Sequence, residues 1–78
     1  MTKDEMFLLK LHEVASSKGD PYTELDRFQI GRLLGLHDRG IDNIVKHLCQ
    51  ANFVKKGDAD NAIFLTEHGM RLIELLKK

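Results

Sequence analysis

The chain has 78 residues and no net charge, with 12 Lys and Arg against 12 Asp and Glu, a 42% hydrophobic fraction and one cysteine. That length predicts a single domain over residues 1–78, near the size at which a lone hydrophobic core is marginal and a homodimer becomes attractive. The composition excludes a disordered chain, and no apolar run approaches the roughly 20 residues that span a bilayer. Met6 to Leu9 is too short, and wrongly flanked, for a signal peptide. Cys49 has no partner for an internal disulfide, so a reducing, cytoplasmic setting is expected.

A first helix is predicted from about Asp4 to Ser17, with Thr2 or Asp4 as its cap. Phe7, Leu11, Val14 and Ala15 share its core face. Met6 and Leu9 point nearly the other way, so this helix is apolar on more than one side and offers a partner surface. Lys18, Gly19, Asp20 and Pro21 make a loop, with Pro21 steering Asp20 away from helical angles, and Tyr22 and Thr23 suit a short extended segment. The second helix starts between Thr23 and Arg27, capped by Thr23 with Asp26 or by Asp26 alone.

Ile30, Leu33 and Leu34 form one apolar stripe, and Ile41, Ile44, Val45 and Leu48 recur at i, i+3, i+4 and i+7 to form a second. Gly35 lies between them, and Leu36 is expected to plug the core there. Asp38 is the expected cap of the third helix, with His37 the alternative. That helix should run to about Ala51, with Asn52 ending it at positive φ. Two short helices joined by a glycine-containing turn make a helix-turn-helix, whose second helix can lie in a DNA major groove.

Phe53 to Lys56 and Ala62 to Leu65 have strand character and flank a five-residue loop, which predicts a β-hairpin. Thr66 should cap a last helix carrying Glu67 in its first turn and Lys77 and Lys78 at its end, the charge order that the helix dipole favours. Gly69, Leu72, Ile73 and Leu76 supply its inner face. Leu75 and Met70 widen the stripe toward a second subunit.

Charge is unevenly spread. Residues 27–57 hold Arg27, Arg32, Arg39, Lys46, Lys55 and Lys56 against only Asp38 and Asp42, whereas the flanking segments are acidic. Positive charge thus concentrates on the helix-turn-helix, as an electrostatic footprint for phosphate requires.

Helix, helix-turn-helix, hairpin and closing helix is the order of a winged helix. The runs Ile30-Gly31-Arg32-Leu33-Leu34-Gly35-Leu36, then Ile41, Leu48 and Ala51-Asn52-Phe53-Val54, and finally Leu65-Thr66-Glu67-His68-Gly69 carry the likeness further. Over residues 4 to 78 the chain resembles MarR- and PadR-type bacterial regulators, with their "LGL" turn, "L…AGLV" helix end and "LTxxG" after the wing. The resemblance implies a mainly α fold with a small β-hairpin: a three-helix core, a wing and a C-terminal helix. It implies a sequence-specific transcriptional regulator that binds double-stranded DNA, third helix in the major groove and wing on the flanking backbone. Asp38, Arg39, Asp42, Asn43 and Lys46 would then face DNA. Arg39 suits a bidentate contact to guanine and Asn43 one to adenine. Lys46, Lys55 and Lys56 suit phosphate contacts, as do Arg27 and Arg32 on the second helix. Met6, Leu9 and Leu75 would form the dimer interface.

The chain departs from that pattern at Asp38 and Asp42, carboxylates on the reading face that need pairing with Arg39 and Lys46 or a cytosine amino group as target. It departs again at Asp58 and Asp60, acidic residues at the wing tip. These departures, the zero net charge and the spare apolar residues motivate a rival expectation, a winged helix used for protein–protein contact in a larger assembly.

Metal, redox and catalytic sites are not expected. His47 and Cys49 point about 200° apart on one helix, and no i, i+4 histidine pair exists among His12, His37, His47 and His68. Asp58, Asp60 and Asn61 lack the downstream glycine and glutamate of a calcium loop. Cys49 reads as a small apolar residue, with a redox switch the lesser alternative. There is neither a phosphate-binding glycine loop nor a nucleophile, base and orienter set, so no enzymatic activity and no cofactor are expected.

Overall fold

Thr2 starts the fold: its Oγ1 accepts the Glu5 N–H (3.1 Å) while the Glu5 carboxylate accepts the Thr2 N–H (2.8 Å). This reciprocal box satisfies donors that a helix start leaves open. In the computed structural model, which describes residues 1–78, it opens α1, Lys3–Ser17. The remaining elements are β1 (Leu25–Asp26), α2 (Arg27–Leu33), α3 (Asp38–Gln50), β2 (Val54–Lys56), β3 (Ala62–Leu65) and α4 (Glu67–Leu76). The chain is therefore mainly α, four helices with a three-stranded antiparallel sheet of order β1-β3-β2.

The third strand was not expected. Leu25 and Asp26 pair with Ile63 and Ala62, so the extended segment lies just after Tyr22 and Thr23. Those two residues turn instead, around Asp20, whose Oδ1 accepts the Tyr22 N–H and whose carbonyl accepts the Thr23 N–H. The expected hairpin forms, with Val54 opposite Leu65 and Lys56 opposite Ile63.

The core gathers Phe7, Leu8 and Leu11 from α1, Ile30 from α2, Ile41 and Val45 from α3, Ile63 from β3 and Ile73 from α4. Each fully buried aliphatic or aromatic side chain contributes about 1.5–3 kcal/mol by leaving water. The α3 stripe is as expected: Ile41, Ile44, Val45 and Leu48 are all buried.

Two expectations about α2 fail together. Leu33 is 58% exposed, whereas Arg27 is only 9% exposed. The helix turns Arg27, Ile30, Gly31 and Leu34 inward, which are i, i+3, i+4 and i+7. Gly31 is part of that face because any Cβ there would overlap the Ile41 side chain, so the absence of a side chain lets α2 and α3 approach.

Gly35 takes φ +74° in the turn between these helices, a conformation glycine adopts without steric cost. The backbone N–H of Leu36 donates to Gly31 O there, and Leu36 is half-buried against the core. The residue at the N-cap of α3 is His37, which makes no side-chain capping bond, and not Asp38. Asp38 falls one residue into the helix, where its carboxylate meets Arg32 instead. At the other end Asn52 has φ +63°, as expected for a helix terminator. Thr66 caps α4 by accepting the Gly69 N–H, and its hydroxyl also lies 2.6 Å from Asn52 O. One side chain thus joins the start of α4 to the end of α3.

Candidate functional site

Opposite its buried stripe, α3 carries Arg39, Asn43, Lys46 and Gln50, all exposed. Their spacing of i, i+4, i+7 and i+11 places them in one row along the helix. The ion pairs within the chain are Lys10–Glu13, Arg27–Asp42, Arg32–Asp38 and His47–Asp4. Arg39 and Lys46 belong to none of them, so the row presents two uncommitted cations and two side-chain amides. Gln50 was missed in the sequence, although the same periodicity that singles out Arg39, Asn43 and Lys46 reaches it.

The two carboxylates of α3 flank this row and are compensated from α2. Asp42 Oδ1 lies 3.6 Å from Arg27 Nη1, and Asp38 Oδ1 lies 3.5 Å from Arg32 Nη2. Neither carboxylate pairs with Arg39 or Lys46; the second helix supplies the cations. Arg32 remains largely exposed, its guanidinium 5.8 Å from the Phe28 ring centroid. Arg27 is mostly buried and does not extend from the surface as Arg32 does. Its backbone N–H and its Nε both donate to Asn61 O, at 3.0 and 3.4 Å, which holds α2 against the hairpin loop.

The sheet separates two lysines that are adjacent in sequence. Val54 is buried, so Lys56, two residues on, stands on the same side of β2, and Lys55 on the other. Lys56 lines a cleft of about 410 Å³ between β2 and α3, shared with Arg27, Asp42, Val45, Lys46 and Gln50. Cys49, a half-buried free thiol, is on its wall. Lys55 sits across from Phe64 and borders a separate, open hollow with Tyr22, Glu24 and Glu67. Only Lys56 therefore joins the polar row of α3.

At the hairpin tip, Asp58 and Asp60 are exposed, and the Asp58 N–H donates to Glu24 Oε1 at 3.1 Å. His47, on the far flank of α3, has its Nδ1 3.8 Å from Asp4 Oδ2 of α1. His68 stacks on Phe53, with centroids 4.8 Å apart. No three His, Cys, Asp or Glu side chains converge where an ion could sit, and no helix is long and apolar enough to cross a membrane.

The three apolar residues expected at a dimer interface differ in exposure. Met6, 45% exposed, borders a small groove with Lys3, Leu34 and Leu36. Leu9 packs against the core. Leu75, 62% exposed, lies on α4, which meets α1 at His12 through Lys77. Six residues separate Met6 from His12, about 120° around a helix and nearly two turns along it.

Set against known proteins, the chain matches no family model, and no curated protein or solved structure is significantly similar to it.

Proposed function

We propose that this chain is a winged-helix DNA-binding domain that acts as a sequence-specific transcriptional regulator, with α3 as recognition helix and the β2–β3 hairpin as wing. The observation that carries the reading is the exposed row Arg39, Asn43, Lys46 and Gln50. Its charges have no ion-pair partner within the chain, and the row stands on a helix whose opposite face is buried. Arginine and asparagine on such a face are the side chains that read guanine and adenine edges. The compensation of Asp38 and Asp42 by Arg32 and Arg27 supports it further, since it lowers the repulsion those carboxylates would exert on phosphate. The element order and the motif likeness to MarR- and PadR-type regulators point the same way. A homodimer would present two copies of α3 to successive major grooves, about 34 Å apart.

A second reading, a module for protein contact, is favoured by exposed Leu33 and Met6 and by the acidic wing tip. Fluorescence anisotropy with a labelled random duplex, from about 20 to 200 mM salt, separates the two readings. DNA binding by several lysines and arginines gives an affinity whose logarithm falls linearly with log salt. Negligible binding at the lowest salt by the folded protein overturns the DNA reading and leaves the protein-contact one.

A further inference from the structure

We infer that the cleft between α3 and β2 is a seat for a single phosphate group. Lys46 and Lys56 stand on opposite walls, one from each element, and Arg27 forms part of the lining. The cleft holds three cations against one carboxylate, Asp42, and Asp42 is already met by Arg27. Gln50 adds an amide donor at the rim.

Arg27 is the unusual member. It is nine-tenths buried, its Nε donates to Asn61 O and its Nη1 lies 3.6 Å from Asp42 Oδ1, while Nη2 makes no hydrogen bond within the chain. No buried side-chain nitrogen or oxygen lacks a partner, so Nη2 keeps contact with solvent, and the residue is part of the cleft lining. A guanidinium held by the Asn61 carbonyl and the Asp42 carboxylate, with Nη2 left open, can add a charge-assisted donor to a bound phosphate. Val45 and Cys49 make part of the wall apolar.

The phosphate has two possible sources, the backbone of a duplex or a free phosphorylated compound. The first rests on the DNA reading above; the site itself does not.

Cys49 makes the test direct, because it is the only cysteine and lines the cleft. Its modification by N-ethylmaleimide, an uncharged reagent, is followed by mass spectrometry with sodium phosphate or with sodium chloride at matched ionic strength. The expected result is severalfold slower labelling in phosphate only. Lys46→Gln or Lys56→Gln should abolish that protection, and Lys55→Gln, on the other face of the sheet, should keep it. In parallel, the amide resonances of Gln50 and Lys56 should shift with the midpoint that the labelling gives. Equal labelling in the two salts with no amide shift, or loss of protection in Lys55→Gln as great as in Lys56→Gln, overturns the site. Duplex DNA at low salt then identifies the source. Protection by DNA assigns the seat to the backbone. Protection by phosphate and pyrophosphate without any by DNA keeps the seat, assigns it to small phosphorylated compounds, and removes the DNA reading instead.

Discussion

The Nζ of Lys77 lies 3.2 Å from Nδ1 of His12, closing the end of α4 onto the middle of α1. An ammonium can only donate, so the imidazole must accept at Nδ1, which leaves its proton on Nε2, facing Ser16 Oγ 3.5 Å away. Burial first, and the Lys77 charge second, hold the His12 pKa below its ordinary value.

The folded state therefore binds this proton less readily than the unfolded chain does. Stability contributed by the neutral pair is complete above the unfolded value of about 6.5 and declines as pH falls from there through the lower folded pKa. Urea midpoints at pH 7.5 and 5.5 should fall for the wild type, and fall less for His12→Gln, which cannot titrate. Identical pH dependence in the two proteins would remove His12 from the account.

Gly31→Ala places a methyl group into the side chain of Ile41. Both elements are short and packed on a common core, so relief requires moving α2. The expected cost is about 1–3 kcal/mol, read as a lower midpoint in thermal or urea unfolding. Shortening the neighbour with Ile41→Ala, which removes both overlapping carbons, should make the pair of substitutions less damaging than the sum of the two alone. Strict additivity would show that the two helices do not meet through this contact.

Asn52 holds φ +63° while its carbonyl accepts from Thr66. Because that acceptor is backbone, substitution isolates the dihedral from the hydrogen bond. Asn52→Ala should cost about 1 kcal/mol and Asn52→Gly should cost less. A glycine variant less stable than the alanine one would contradict the dihedral argument.

On the proposed DNA reading, the contrast between Arg39, Lys56 and Lys55 is the sharpest. Arg39→Ala should weaken binding to a preferred sequence by about 1–3 kcal/mol and leave random duplex nearly unchanged. Lys56→Ala should weaken every duplex alike and reduce the salt slope by about 1, whereas Lys55→Ala should do less of both. Binding isotherms at three salt concentrations, on selected and random duplexes, distinguish these outcomes. Equal losses from Lys55 and Lys56 would mean that the hairpin does not present one face to DNA.

Helix periods and turn residues carried the sequence reading a long way. Ile41, Ile44, Val45 and Leu48 reported their own burial, Asn52 its positive φ, and Thr66 its cap. What failed was information held elsewhere in the chain. Leu25 and Asp26 form a strand only because Ile63 and Ala62 arrive beside them, and two residues are too few to show an alternation. Leu33 has the hydrophobicity of a core residue but is exposed, whereas Gly31 takes the inner position through close approach to Ile41. Arg27 shares that inner face and was read by its charge alone. In the candidate site, Arg39, Asn43 and Lys46 were legible from spacing. The separation of Lys55 from Lys56, and the partners of Asp38 and Asp42, depend on how the sheet and α2 stand against α3.

Because β3 lies between β1 and β2, both outer strands hang on residues 62–65. During synthesis, every strand residue made earlier waits unpaired until that late segment leaves the ribosome. The hairpin pairing is local, whereas joining Leu25 to Ile63 brings together residues far apart in sequence, the kind of contact that sets folding speed in small proteins. Amide exchange in β1 and β2 should accordingly open together, at the same denaturant concentration, although the two strands never touch.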